Sequence, residues 1–443
     1  LPAGGMVLKS TRRSFLKSTA AIPVAFTAAS YSRILGANDR INVGVMGLGG
    51  RGQGLARTFA AARGVLVTDL CEADPRRADK TNGVLRKMGA PDAKVSGDIH
   101  RMLDTSDCDV LVIATPDHWH TPAAMLALAA GRHVYLEKPV SHNPAEGELL
   151  VEAQKKHGHV LQVGNQQRSA PESIDLVRRV HAGELGDIYR IYTWYANSRG
   201  SIGNGKVVAP PGWLDWEQWQ GPAPRRDFQD NLVHYNWHWF WHWGTGETCN
   251  NAMHELDIAR WAISADYPDA VRVEGSRQFY TGDDWQMYDT IIAEFDFDGV
   301  EVVWEGHSCN NVQAWGRGRG VMIYGTKGSA LVDRNGYVIR DPAGKVVHEV
   351  NAAAASATTD VRGGGLLDHL HIENFLGIIR GDSMNQHSPV AEGHKSTLLC
   401  HLANIAYREG RALDIDSSTG RILGGVGDSL WSREYELGWE PRV

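Results

Sequence analysis

Ile41-Asn42-Val43-Gly44-Val45-Met46-Gly47-Leu48-Gly49-Gly50-Arg51-Gly52 is a short apolar strand running straight into a G-x-G-x-x-G turn. Gly47 permits the tight bend, Gly49 lets the backbone approach a pyrophosphate, and Gly52 lets the next helix pack close on the strand. The helix N-terminus points unpaired N–H groups and a partial positive charge at the phosphates, so Leu48, Gly50 and Arg51 complete the expected cradle. With 49 glycines in the chain a chance match is easy, and the context is what carries the reading. An amphipathic run (Leu55, Ala56, Phe59, Ala60) follows, and then a second strand, Val65 to Cys71, ends at Glu72. Glu72 lies 20 residues past Gly52, where an acid grips the ribose hydroxyls of an adenosine. It would repel a 2′-phosphate, which favours NAD over NADP, although Arg76 and Arg77 nearby act against that preference.

Strands and helices alternate from Ile41 to Val163, as in a doubly wound parallel sheet. The run from Asp109 to Ala114 reads as a strand buried on both faces, and it ends in Thr115-Pro116-Asp117-His118-Trp119-His120. The strand His133 to Leu136 ends in Glu137-Lys138-Pro139, and the strand Val160 to Val163 ends just before Asn165. Ligands of such sheets sit outside the carboxyl ends of the strands, so Glu72, Thr115, Pro116, His118, Trp119, His120, Glu137, Lys138 and Asn165 are expected to converge on one crevice.

A length of 443 residues exceeds one ordinary core and predicts two domains. Hydrophobic content of 42% and charged content of 22% are those of a globular protein, and a net charge of −7 argues against nucleic acid as the main partner. The five cysteines are scattered without a C-x-x-C pair and suggest neither a disulfide framework nor a zinc site.

Leu1 to Gly5 precede a methionine and read as a remnant ahead of the natural start. Ser10-Thr11-Arg12-Arg13-Ser14-Phe15-Leu16-Lys17 and the apolar stretch Thr19 to Ala29 resemble a twin-arginine signal, which exports proteins already folded. The apolar stretch is too short to span a bilayer, so no stable membrane insertion is expected. The expected organisation is a leader over 1–38, a dinucleotide-binding domain over 39–165 and an α+β substrate and oligomerisation domain over 166–443.

Beyond Gly164 the pattern predicts a helix from Pro171 to Ala182, a strand from Ile188 to Ala196 and a long irregular Trp-rich segment from Asn197 to Trp243. A long loop in a compact domain is usually functional. A helix Asn251 to Ile263 precedes strands at 271–280, 288–297, 300–308, 319–325, 329–333, 337–341 and 345–350, several joined by Gly turns as in an antiparallel sheet. Ala352 to Gly365 reads as a mobile loop, and helices Leu366 to Arg380 and Ala391 to Arg408 close the chain.

Lys138 follows a strand end and precedes a proline, so its amine is expected in the crevice, hydrogen-bonded to a substrate hydroxyl. His254 shares a helix face with Asn250 at i, i+4 and is the natural proton acceptor for alcohol oxidation near neutral pH. His234, His238 and His242 have H-x-x-x-H spacing, but their interleaving with Trp237, Trp239, Phe240, Trp241 and Trp243 favours an aromatic platform for a sugar face, or plain packing, over a metal.

In the order Gly47–Gly52, Thr115–His120, Glu137-Lys138-Pro139 and His254-x-x-Asp257, the chain resembles the glucose–fructose oxidoreductase / inositol dehydrogenase / rhizopine catabolism family. The leader, Pro211 to Trp216, Trp243-Gly244-Thr245-Gly246-Glu247 and His254-Glu255-Leu256-Asp257 resemble its exported branch. The resemblance implies a Rossmann domain followed by an α+β domain with a large, mainly antiparallel open sheet. It also implies a homo-oligomer (dimer or tetramer), a carbohydrate substrate, Lys138 and His254 as catalytic residues, and a cis Lys138–Pro139 bond. Arg168, Trp243 and Asn250 are expected to join Lys138 and His254 at the substrate. Asn250 departs from the family pattern, which has aspartate there, and an amide cannot supply negative charge to an imidazolium.

Three functions are in play. The first is a nicotinamide-dependent sugar oxidoreductase with tightly held cofactor, either redox-neutral overall or passing hydride to a second sugar. The second is a glycoside-cleaving enzyme that oxidises, eliminates and re-reduces its substrate. The third is a sugar-binding protein without turnover.

Overall fold

The computed structural model describes residues 40–352 and 365–443, so the leader and most of the expected loop at 352–365 lie outside the described residues. The first sheet is built from β1 (Ile41–Met46), β2 (Val65–Cys71), β3 (Lys94–Ser96), β4 (Val110–Ile113), β5 (His133–Leu136) and β6 (Leu161–Val163). All neighbours are parallel, in the order β3-β2-β1-β4-β5-β6. That is the doubly wound order, whose direction reverses between β1 and β4 and opens a crevice there.

Helix α1 (Gly50–Ala61) starts at the Gly-rich turn with no side-chain cap, so its first N–H groups are free for a ligand. Gly47 takes φ +82°, and a Cβ on Gly52 would lie 1.8 Å from the Gly47 carbonyl oxygen, so both glycines are required by the backbone itself.

The second sheet has nine strands: β7 (Ile188–Ala196), β8 (Ala270–Ser276), β9 (Thr290–Phe297), β10 (Val300–His307), β11 (Arg319–Gly325), β12 (Gly328–Asp333), β13 (Gly336–Arg340), β14 (Val346–Asn351) and β15 (Leu413–Asp414). Their order is β14-β13-β12-β11-β7-β10-β9-β8-β15, antiparallel except for the β7–β10 pair. The two-residue edge strand β15 carries too little pattern to be foreseen. The long segment after β7 is not wholly irregular, because Asp215 caps a short helix, α2 (Trp216–Gln220), by accepting from the Gln218 N–H.

Two late helices were expected to close the second domain, α3 (Leu366–Arg380) and α4 (Val390–Glu409). Instead, Ile372, Phe375 and Leu376 of α3 pack into the core formed by β1, β2, β4 and α1, with Phe59 and Tyr135 edge-on to Phe375. The chain thus returns to its first domain after β14 and comes back to the second sheet with the edge strand β15. Among the described residues no helix is long and apolar enough to cross a membrane.

Candidate active site

A cleft of about 530 Å³ runs along the carboxyl ends of the parallel strands and is walled on its other side by the second sheet and the Trp-rich segment. Gly47, Gly49, Gly50 and Arg51 line it from the Gly-rich turn, and Glu72 lines it from the end of β2. Thr115, Pro116, Trp119 and His120 follow β4, and Glu137 and Lys138 follow β5. Asn250 and His254 face them from the second domain.

Leu48 and Gly52 sit behind the turn rather than on the wall. The Leu48 N–H donates to Glu72 Oε2 at 2.6 Å, and the Asp74 N–H donates to Glu72 Oε1 at 3.1 Å. Burial pushes the Glu72 carboxyl above its ordinary value, opposed by these hydrogen bonds and by Arg77. Arg51 holds the turn to its neighbours: Nε donates to Glu137 at 2.8 Å, and both Nη atoms donate to Asp368 of α3 at 2.8 Å. His120 spans the loop ends, with Nδ1 2.5 Å from the Pro139 carbonyl and Nε2 3.0 Å from that of Thr115. The Lys138–Pro139 peptide is cis.

Lys138 is half-buried, and its Nζ donates to the Asn250 carbonyl at 2.5 Å and to Asn250 Oδ1 at 3.2 Å. Burial lowers its pKa, Arg319 and Arg334 act in the same direction, and Glu137 and Asp117 oppose. Asn250 lies on one turn of π-helix, Thr248–Ala252, just ahead of the helix α5, Met253–Ile263, that carries His254. Burial first, then Arg334, Lys138 and Arg319, hold the His254 imidazole well below its usual range, so it is neutral.

Behind Asn250 stands Glu247, 1% exposed. It accepts from Arg199 Nε at 2.8 Å, Ser308 Oγ at 3.1 Å and Asn250 Nδ2 at 3.3 Å, and from Asn251. Because Nδ2 of Asn250 is taken by Glu247, its Oδ1 is left to face Lys138.

Besides Leu48 and Gly52, four expected site residues lie off the cleft wall. Arg168 is buried, donating to both Asp257 oxygens at 2.7 and 2.9 Å. Ser396 Oγ donates to the same carboxylate at 2.6 Å, so Asp257 serves Arg168 and Ser396 rather than His254. Trp243 packs among Trp216, Trp219 and Phe240 in an aromatic core. His118 is buried with Nε2 3.1 Å from the Trp219 carbonyl, and Asn165 is buried behind the strand ends. For Arg168, Trp243 and His118 spacing on one element set the expectation, and packing against a distant element turned the side chain away, whereas both polar side-chain atoms of Asn165 are buried without a hydrogen-bond partner among the described residues.

The three spaced histidines go separate ways. His234 Nε2 is 3.1 Å from Asp74, His238 Nδ1 is 2.6 Å from the Tyr235 carbonyl, and His242 Nε2 is 2.8 Å from the Pro224 carbonyl. Trp219, Tyr235, Trp237 and His238 reach the cleft, while most of the neighbouring aromatics are core.

Sequence reasoning missed Tyr195, Asn197, Arg199, Arg319 and Arg334, all on the cleft wall. They come from strand ends and a hairpin turn whose proximity only the sheet order creates. Tyr195 pairs with Arg319 across β7 and β11.

The residues present fit a dinucleotide. A Cβ on Gly50 would meet nothing of the protein within 4 Å, and one on Gly49 only Arg77 at 3.8 Å, so both glycines leave open space that a side chain would fill. Thr115 Oγ1, on the wall, is buried without a hydrogen-bond partner. The glycine turn, Glu72 and Thr115 would hold the group, which would bring hydride-transfer chemistry next to Lys138 and His254.

Residues 41–165 match the family model described as oxidoreductase family, NAD-binding Rossmann fold. Residues 189–351 match that family's C-terminal alpha/beta domain. A glycosyl hydrolase family 109 protein of Saccharopolyspora erythraea is 32% identical over 157 residues, 34% of this chain and 34% of the relative, so the match spans about a third of that protein. In three dimensions the chain is similar to the WlbA dehydrogenase of Bordetella pertussis, solved in complex with NADH and UDP-GlcNAcA (TM-score 0.63, 19% identity, 85% of this chain and 99% of that one). It is likewise similar to the aldose–aldose oxidoreductase of Caulobacter crescentus (TM-score 0.63, 19% identity, 85% and 100%). With both domains matched in order and the Gly-rich turn, Lys138 and His254 on one cleft, the chain belongs to the Gfo/Idh/MocA family of oxidoreductases.

Proposed function

We propose that the protein oxidises a ring carbinol of a sugar or sugar derivative and that it keeps its nicotinamide cofactor bound from one turnover to the next. The observation that carries this is the meeting of Lys138 and neutral His254 on the wall of the dinucleotide cleft. Held there by the glycine turn, Glu72 and Thr115, NAD would supply the hydride acceptor. Lys138 donates a hydrogen bond to the substrate hydroxyl and polarises it. His254 accepts the hydroxyl proton as the carbinol C–H is lost, leaving a ketone. Asn250, steered by Glu247, holds Lys138 in place. The buried setting excludes water and strengthens each of these contacts.

NAD is preferred to NADP in this reading. Glu72 lines the cleft, and of the two arginines that would attract a 2′-phosphate Arg76 is engaged elsewhere while Arg77 lines the cleft beside Glu72. Arg76 forks onto Asp74 at 2.8 Å and stacks 3.7 Å over Trp213, and Arg77 donates toward the Leu48 carbonyl. Retention is supported by the Trp-rich segment: the Asp215 N–H donates to the Ala73 carbonyl at 3.0 Å, and His234 meets Asp74, so the second domain straps the adenosine end. The leader pattern around Arg12 and Arg13 adds export, and outside the cytoplasm, where free NAD is scarce, a retained cofactor is needed. Association into a homo-oligomer belongs to the same reading and is checked by light scattering.

Glycoside cleavage through transient oxidation, elimination and re-reduction is the second reading, and the likeness to a glycosyl hydrolase family 109 protein favours it. Both readings predict that protein purified without added cofactor releases near-stoichiometric nicotinamide on denaturation. A screen of sugars and aryl glycosides, followed by bound-cofactor absorbance and by aglycone release, separates them. Cofactor-free protein that accumulates NADH in step with oxidised sugar would overturn the retained-cofactor account.

A further inference from the structure

His238 lines the cleft and takes no part in the hydride transfer proposed above. It stands on a turn of 3₁₀ helix, Asn236–Trp239, within the Trp-rich segment. The tryptophans on either side anchor that turn inward. Trp237 joins the aromatic core with Trp216 and Trp219, and Trp239, 1% exposed, stacks on Trp285 with ring centroids 4.1 Å apart. A Cβ on Gly244 would lie 2.7 Å from both the Cα and the carbonyl oxygen of His238, so the backbone behind the imidazole is close-packed. The imidazole itself stacks on Trp237 at 3.6 Å and 19° and leans on Tyr235 at 4.6 Å. It is therefore held in one orientation before any ligand arrives.

The bond at one ring nitrogen fixes what the other offers. Nδ1 is 2.6 Å from the Tyr235 carbonyl oxygen, which can only accept, so the proton sits on Nδ1. Burial brings the imidazole down to about 3, Arg199 and Lys138 act in the same direction, and the Tyr235 carbonyl and Glu247 oppose. The ring is neutral, and Nε2 carries a lone pair. Among the described residues Nε2 has no hydrogen-bond partner, and it is open rather than sealed within the protein. His234 and His242, at the same spacing, spend Nε2 on Asp74 and on the Pro224 carbonyl. The charges of Lys138 and Glu247 that act on His238 place it at the catalytic end, where both residues hydrogen-bond Asn250. A fixed acceptor there suits a hydroxyl donor, and a ligand that leaves it bare forfeits a hydrogen bond.

We infer that His238 is a specificity-determining residue whose Nε2 accepts a hydrogen bond from a second hydroxyl of the sugar that Lys138 and His254 act on. The substrate class is then a polyhydroxylated ring with that hydroxyl free, neither deoxygenated nor substituted on oxygen. This rests on the sugar-oxidising reading and narrows it.

The test is calorimetric binding to NAD-loaded protein of the methyl glucosides and methyl galactosides, both anomers, and of their monodeoxy analogues. At one ring position, loss of the hydroxyl should weaken binding about tenfold or more, the worth of a hydrogen bond to a confined acceptor. His238→Phe keeps an aromatic ring against Trp237 but has no nitrogen. It should shrink that penalty to about threefold or less and leave the penalties at other positions in place. His238→Gln, whose amide oxygen can stand in for Nε2, should restore it. In the wild type, fluorine at the same position should cost as much as deletion, because fluorine cannot donate, and this measurement needs no variant to fold. Affinity recovered by fluorine, penalties that all survive His238→Phe, or an equal loss at every position overturns the inference. So does a His238→Phe protein that loses NAD affinity but keeps every penalty, because the imidazole then serves the cofactor. Absence of binding by every glycoside overturns it together with the sugar reading. A penalty that depends on His238, without any reduction of bound cofactor, supports this inference and overturns the redox reading. Cofactor reduction by a sugar with no such penalty overturns this inference alone.

Discussion

Lys138 Nζ is bonded to two oxygens of one residue, the carbonyl and Oδ1 of Asn250, and among the described residues to no carboxylate. Its hydrogen bonds are therefore to dipoles, with the charges of Glu137 and Asp117 acting from further off, and it can turn to a substrate hydroxyl without breaking a hydrogen-bonded ion pair. Lys138→Ala and His254→Ala should each lower turnover by about 10²–10⁴-fold, the usual yield of a positioned acid or base. Cofactor should remain bound in the His254 variant. Single-turnover absorbance of the bound nicotinamide measures both, and a near-normal rate removes that residue from the mechanism.

The pH profile of kcat/KM should be broad. His254 must be neutral to accept a proton, and burial places its titration well below 6.5, so the acid limb falls well under that value. Lys138 must be charged to donate, and burial lowers its titration from 10.5, so the alkaline limb falls below that value. Asn250→Asp puts a negative charge against Lys138, raises its pKa and moves the alkaline limb to higher pH. An alkaline limb that stays in place in this variant would show that Lys138 does not set it.

Glu247→Gln should cost about 3–5 kcal/mol of stability, because it leaves Arg199 buried without its partner charge. Burial alone would raise the Glu247 pKa, but the charge of Arg199 and the hydrogen bonds from Arg199, Asn251 and Ser308 outweigh it and hold it below 4.5. A depressed carboxylate contributes stability that is present above its unfolded value and is lost as pH falls through the folded one. The wild type should therefore lose stability below about pH 4.5, and the variant should lose less over that window. Denaturant unfolding at several pH values checks both statements.

Arg168→Ala should also cost about 3–5 kcal/mol, since Asp257 would be left buried and uncompensated. Turnover per folded molecule should change by less than about twofold, a small effect compared with losing a substrate contact. A rise in KM of tenfold or more at normal stability would return Arg168 to the substrate.

Trp213→Ala removes the surface on which Arg76 stacks and loosens the strap over the adenosine end. A partly exposed cation–π contact of about 0.5–1 kcal/mol corresponds to cofactor dissociation about two- to fivefold faster. Release into excess competing nucleotide, followed by fluorescence, measures it. An unchanged rate would mean that the strap does not retain the cofactor.

The sequence alone determined the Rossmann half and the dinucleotide cleft. Its glycines, its buried parallel strands and the residues just past their carboxyl ends are local features, and the doubly wound topology sends all strand ends to one side. The second sheet was legible strand by strand from Gly turns and alternation, because each hairpin is a local object.

Only the tertiary structure decided which side chains share the catalytic end. Arg319, Arg334, Tyr195 and Arg199 are brought together by strand order and register, which hydrophobic pattern does not encode. The same long-range packing withdrew Arg168, Trp243 and His118 from the wall and sent helix α3 back into the first core. A position near a motif fixes where a backbone runs. Whether its side chain meets a ligand or a neighbouring element depends on what folds against it, and the partners that hold Arg168 and His118 lie 89 and 101 residues away in sequence.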